Sequence, residues 1–229
     1  MTTLAQLADE CQNTIADAGA GTWSQATVEE WVKAGIRLYS QNFPRQITST
    51  IATSAADHTY NLPTNFQAMV TVEYPTDQDP KRYLKRRSHK HPSFWLENGY
   101  YDVMPRGAEP ALSSYEDELW ISDSPAASET ITITYLGDHA SNLSSGSDVT
   151  VPGRHFNILI NYVVWQAWRE RTGAEEKDPE TTTLQLSQFQ ANANAAEQQF
   201  RDSLAEAVPL VHAGGYTGPW VMDKHDRIY

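Results

Sequence analysis

The spacing of apolar residues along the chain changes period twice. From Thr3 to Ala18, Leu4, Leu7, Ala8, Cys11 and Ile15 recur at steps of three and four, which predicts a helix with one buried face. Gly19 and Gly21, with the small residues around them, stop it. A second helix is predicted over Ser24–Asn42, where Val28, Trp31, Val32, Ile36 and Tyr39 form one face. Ser24 or Thr27 can cap it, and Thr27 with Glu30 fits a capping box. Pro44 ends it. The simplest arrangement is an antiparallel helix pair.

Between Gln46 and Leu143 the period falls towards two. Ile47–Thr53 alternates weakly, and Thr59–Pro63 reads as a strand running into a turn. Met69–Tyr74 alternates well, with Val70, Val72 and Tyr74 against Met69, Thr71 and Glu73. Leu119–Ser122 and Thr130–Leu136 are two further strands around Ser124-Pro125-Ala126-Ala127. An antiparallel sheet or small sandwich is predicted.

Helical spacing then returns. Pro152 stands at a helix start, where its missing N–H costs nothing. Phe156, Leu159, Ile160, Val163, Val164 and Ala167 follow, and Trp165 and Trp168 widen the apolar arc, so this helix, Pro152–Thr172, is expected to be covered on more than one side. The last helix, Pro179–Val208, carries a narrow stripe of Leu186, Phe189, Ala193, Ala196, Phe200, Leu204 and Ala207 among Gln and Asn. Pro209 is expected to end it. The fold class is therefore α+β. Helices from both ends form a bundle (residues 1–45 and 151–208), an antiparallel β-sheet or sandwich domain (46–150) is inserted between them, and an extended tail (209–229) follows. Trp31, Phe156 and Phe200 are placed in the helical core.

Composition narrows the function. With 29 acidic against 17 basic residues the net charge is -12, which disfavours uniform binding to nucleic acid or anionic membrane. No apolar run approaches the roughly 20 residues that cross a bilayer. Met1–Glu10 has neither a basic nor a long apolar stretch, so no signal peptide is expected. The single cysteine, Cys11, leaves no internal disulfide and no site built on several thiolates.

Charge is segregated. Lys81–His91 holds six of the 17 cations (Lys81, Arg82, Lys85, Arg86, Arg87, Lys90) and no acid. It fits a solvated loop beside an acidic surface, an interface with an acidic protein surface, or a nucleic-acid backbone contact. His89 and His91 would project to one side of a strand, but no third metal ligand accompanies them. The chain has no Gly-rich phosphate loop, no Gly-x-Ser-x-Gly and no His-Glu-x-x-His. No catalytic residue, metal or cofactor is therefore assigned. The tail holds Tyr216, Trp220, Val221, Met222, Ile228 and Tyr229 among Gly and Pro, a richness in apolar anchors that suits docking onto another protein or folding back on its own domain. Trp95, Tyr100, Tyr101 and Trp120 in a β context leave open a carbohydrate-binding or adhesion module of a phage or bacterial surface structure. The flanking helices argue against it. A hydrolase lacks its motifs.

The order of motifs resembles the head–tail adaptor proteins of tailed bacteriophages, also called head-completion or connector proteins. Trp23-Ser24, Val28-Glu29-Glu30-Trp31 and Ala34-Gly35-Ile36 look like their first helical pair. Tyr60-Asn61-Leu62-Pro63-Thr64-Asn65-Phe66, leading to Val70–Tyr74, is similar to their approach to the central sheet. Leu119-Trp120-Ile121, Ser124-Pro125-Ala126 and Ile131–Tyr135 resemble their closing hairpin, and Val151-Pro152 with Arg154-His155 their return to the helices. The resemblance covers about Leu4–Val208. It implies a structural virion protein at the head–tail junction, present in host cytoplasm during assembly. It further implies a ring, commonly of twelve copies, under the portal protein and above tail or nozzle proteins, with genome DNA passing through without sequence-specific binding. On that reading the tail residues bind the portal. Arg82, Lys85, Arg86 and Arg87, with Trp165 and Trp168, meet neighbouring subunits or tail proteins. No membrane is involved.

Overall fold

A computed structural model describes residues 2–15, 23–76, 78–104, 117–177 and 182–213. The chain divides into two compact units, one formed by Met1–Phe43 with His139–Tyr229 and the other by Pro44–Asp138.

The discontinuous unit is helical. Helix α1 is Leu4–Thr14 and α2 is Gln25–Asn42. Thr3 and Gln6 form a reciprocal capping box at the start of α1. Ser24 caps α2 by accepting from the Thr27 N–H at 3.2 Å, while Glu30 pairs with Lys33 instead of completing a box. A 3-10 turn, Gly153–His155, leads into α3, Phe156–Glu175, and α4 spans Thr183–Ala213. All four helices feed one core, in which Leu4, Leu7, Val28, Val32, Ile36, Leu159 and Val163 are fully covered. Each such aliphatic side chain contributes about 1.5–3 kcal/mol.

Two expectations meet different outcomes here. Helix α4 does not stop at Pro209 but continues to Ala213. A proline removes one backbone donor without reversing the chain, so a long helix can pass through it at a cost of about 3 kcal/mol. Residues 139–150, which the sequence grouped with the strands, pack with the helices. The Leu4 and Ala5 N–H groups, left open at the start of α1, donate to the carbonyls of Ser147 and Ser145 at 2.9 Å each. Val149 and Val151 join the helical core.

Among the described residues the second unit is built of strands and one 3-10 turn, Pro92–Phe94. Its strands are β1 (Arg45–Ala52), β2 (Thr59–Asn61), β3 (Phe66–Glu73), β4 (Lys85–Arg86), β5 (Tyr100–Met104), β6 (Glu118–Ile121) and β7 (Thr130–Gly137). They form a three-stranded sheet in the order β1-β7-β3 and a four-stranded sheet in the order β2-β6-β5-β4. Every pairing is antiparallel except β4 with β5. The expected closing hairpin is not formed. Strand β6 pairs with β2 and β5, whereas β7 lies between β1 and β3, so Ser122–Glu129 carries the chain from one sheet to the other. Tyr60, Leu62, Leu119 and Ile121 from one sheet share a core with Val72, Ile131, Ile133 and Tyr135 from the other. No helix among the described residues is long and apolar enough to cross a membrane.

Candidate functional site

The basic segment is held in place by backbone bonding and one buried side chain. After β3, the Tyr74 N–H donates to the Arg82 carbonyl at 3.2 Å and the Leu84 N–H to the Val72 carbonyl at 2.8 Å. Leu84 is buried and anchors the segment to the core. The chain then runs beside β5, with the Lys85 and Arg87 N–H groups donating to the carbonyls of Gly99 and Tyr101. A turn at Ser88–His91 leads into a 3-10 helix, Pro92–Phe94, whose Ser93 N–H donates to His91 Nδ1 at 3.2 Å.

The six cations divide into two sets. Lys81 Nζ lies 3.1 Å from Glu73, and Arg82 lies 3.0 Å from Asp123, whose carboxylates are 7% and 6% exposed. Asp123 also accepts from the Gly99 N–H at 2.7 Å. Arg87 bonds Ser93 and Glu97 and lies 3.6 Å over the ring of Tyr100. Burying a carboxylate is costly unless it is paired, so Lys81 and Arg82 offset charges that the unit itself has buried. His89 likewise faces buried Asp102, which accepts from its ring Nδ1 at 2.8 Å and its backbone N–H at 2.9 Å. Lys85, Arg86 and Lys90 are exposed, and none of them forms an ion pair among the described residues.

Large apolar side chains stand exposed on the same stretch: Tyr83 at 52%, Trp95 at 47% and Leu96 at 82%. Trp95 is not loose. Its Nε1 donates to the His89 carbonyl at 3.0 Å, and its ring meets Phe94, His58 and Trp120 edge-on. Solvated cations and apolar anchors thus share Tyr83–Leu96. A sugar platform is not assembled here. Tyr101 is buried, Tyr100 lies under the Arg87 guanidinium, and Trp120 is half-buried against His89.

The other sequence-derived residues lie in the helical unit. Trp31 is buried, only 8% exposed, edge-on to Trp23, with its Nε1 donating to Glu170 at 3.2 Å. Phe200 is buried, and Phe156 is half-buried against the same core. Trp165 stacks on Phe200 with centroids 5.9 Å apart, and Trp168 lies against Phe189. Much of both indoles is therefore spent on joining α3 to α4. A groove of about 690 Å³ runs between these helices, lined by Asn157, Asn161, Gln198 and Asp202, with buried His155 at its wall. His155 Nδ1 lies 2.5 Å from the Tyr39 hydroxyl. Burial, then the neighbouring Arg154, holds the imidazole below the ordinary histidine range. The tail residues Tyr216, Trp220, Val221, Met222, Ile228 and Tyr229 lie outside the described residues. Among the described residues no three His, Cys, Asp or Glu side chains converge on a metal-sized site.

Sequence reasoning missed β4, β5 and the acids that neutralise half the basic segment. Arg82 and Asp123 are brought together by the fold, and no local pattern at either position announces the pairing.

This chain matches the model of the SU10 adaptor protein family over residues 2–222, and it belongs to that family. It is a structural adaptor protein of a phage virion. The chain has no significant match among curated proteins.

Proposed function

We propose that the protein joins the phage head to the tail as a ring beneath the portal protein, of twelve copies, through which genome DNA passes without sequence-specific contact. The observation that carries this reading is the division of the basic segment. Three cations pair with carboxylates of the same unit, two of them buried, and Lys85, Arg86 and Lys90 remain exposed beside Tyr83, Trp95 and Leu96 in a chain of net charge -12. The most abundant counter-charge for such a surface is the acidic face of a neighbouring copy or tail protein, and its exposed aromatics supply the apolar anchors that an interface needs. A strongly acidic chain is also a poor trap for DNA phosphates, as a conduit requires. Trp165 and Trp168 contribute their uncovered edges to subunit contacts in this reading. Tyr216, Trp220, Val221, Met222, Ile228 and Tyr229 dock on the portal. No catalysis, metal or cofactor forms part of it.

The test of the tail is truncation after Ala213, the end of α4. The shortened protein should melt as the full chain does and fail to co-sediment with purified portal rings. Co-sedimentation at full-length affinity would assign portal binding to the helices instead.

A further inference from the structure

The sheet β1-β7-β3 has two unequal edges. Strand β3 is interrupted by register shifts at Phe66/Ala68 and Met69/Thr71, and its end is covered by Arg82–Leu84. The edges of the other sheet, β2 and β4, are three and two residues long. Bulges, covers and short lengths are the means by which edges avoid pairing with other chains. Strand β1 is long, shows no register shift against β7, and among the described residues no backbone hydrogen bond from another segment covers its outer edge over Thr48–Ala52. It runs for eight residues in unbroken register with β7, contains no proline, and carries one charge, Arg45, at its first position. No charged residue follows until Asp57.

The Thr53 N–H donates across to the Glu129 carbonyl at 2.9 Å. Alternation along an antiparallel strand therefore turns the backbone groups of Ile51, Ser49 and Ile47 towards β7 and those of Ala52, Thr50 and Thr48 outwards. Among the described residues no backbone hydrogen bond from another segment reaches the outward groups of Thr48, Thr50 and Ala52.

The centre of this strand, Ile47-Thr48-Ser49-Thr50-Ile51, reads identically in both directions. A two-fold contact uses the same patch on both partners, so it demands such self-complementarity. Two antiparallel copies centred on Ser49 would set Ile47 against Ile51 on the inner face and Thr48 against Thr50 on the outer. Both pairs are favourable across strands. The same register faces the outward backbone groups of Thr48 with those of Thr50, so each such pair exchanges both hydrogen bonds. The two Arg45 side chains fall at opposite ends and do not repel.

We propose that β1 is the contact of a two-fold dimer of this chain, joining two sheets into one of order β3-β7-β1-β1-β7-β3. A two-fold contact closes on itself and cannot repeat around a cyclic ring. The dimer is thus a form of the free protein, and it opens before a copy joins an assembly. It rests on the strand alone and stands or falls independently of portal binding.

The test uses the full chain with Ser49→Cys. Across the two-fold this residue faces itself at a non-hydrogen-bonded position, where Cα atoms lie about 4.5 Å apart, within the range of a disulfide. The native thiol, Cys11, is fully buried and does not compete. Mild oxidation should give a covalent dimer of Ser49→Cys on a non-reducing gel. Thr48→Cys, more exposed but facing Thr50 of the partner, should give little. Sedimentation velocity should show a concentration-dependent dimer of the unmodified protein. That dimer should be lost in Thr50→Pro, whose missing N–H points outward and leaves the β1–β7 ladder complete, with a thermal melt confirming that the variant is folded. A protein that stays monomeric at every concentration would overturn the proposal. So would Ser49→Cys crosslinking no faster than Thr48→Cys.

Discussion

The imidazole Nε2 of His139 lies 3.1 Å from the carbonyl oxygen of Phe43. These are the residues at which the chain returns from, and departs into, the inserted unit. A carbonyl only accepts, so Nε2 carries the proton and Nδ1 accepts from the Thr150 hydroxyl at 3.0 Å. The His139 backbone N–H donates to Ser40 Oγ at 3.0 Å. One buried residue thus ties the end of α2 to the segment 139–150 within the helical unit. His139→Ala should cost about 1–3 kcal/mol, because it leaves buried polar partners unsatisfied. Denaturant unfolding would measure this, and a midpoint unchanged from the native protein would contradict it.

Trp31 fills the helical core between Trp23 and the Glu170 carboxylate. Trp31→Ala should destabilise the protein by about 3–5 kcal/mol, the scale for a buried aromatic truncated to a methyl group. Trp31→Phe keeps the ring but leaves Glu170 without its indole donor, and should cost less. Calorimetry of both variants checks the order.

Stability should fall on acidification in a way that traces to His155. Its folded form favours the neutral imidazole, through burial first and Arg154 second, so the unfolded chain takes up the proton earlier as pH drops. The contribution is full above the ordinary histidine value of 6.5 and is lost progressively below it. His155→Gln should flatten this part of the pH–stability curve. At the alkaline end burial pushes Cys11 and Tyr39 up to about 12, so the unfolded chain loses those protons first and stability declines from about pH 9 upwards.

The two sets of cations should separate by experiment. Arg82→Ala leaves buried Asp123 with its Gly99 N–H donor but without its ion-pair partner, and should lower the stability of the inserted unit by about 1–3 kcal/mol, moderated because the arginine is partly exposed. Lys85→Ala, Arg86→Ala and Lys90→Ala together should leave the melting temperature within error and weaken attachment of tail proteins, with the loss smaller in high salt, where the native contact is already screened. A triple variant that assembles normally but alters genome ejection would place these cations at the DNA channel instead.

The helices and β7 were legible because each carries its own period, whereas the alternation expected of Val70, Val72 and Tyr74 in β3 is broken by register shifts that leave Val70 exposed and bury Glu73 beside Val72. Leu4, Leu7 and Cys11 announce α1, and Ile131, Ile133 and Tyr135 announce β7 without help from the rest of the chain. Strand β4 is two residues long and exposed, so Lys85 and Arg86 have no alternation to display. Strand β5 carries Asp102 among apolar residues, and that acid makes sense only once His89 stands beside it. The switch of β6 and β7 into separate sheets was hidden because a strand–turn–strand pattern is the same whether the two strands pair or part. The candidate surface was legible as a charge cluster. Its division into paired and free cations was not, since Glu73, Asp123 and Glu97 reach the segment only through the fold.

The most direct measurement of the central claim is the mass of the complex formed when the purified full chain is mixed with purified portal rings. A head–tail adaptor should bind as a closed set of copies, twelve per portal, giving one discrete mass and a ring visible beneath the portal by electron microscopy. A single bound copy per portal, or no binding at any ratio, would contradict the account.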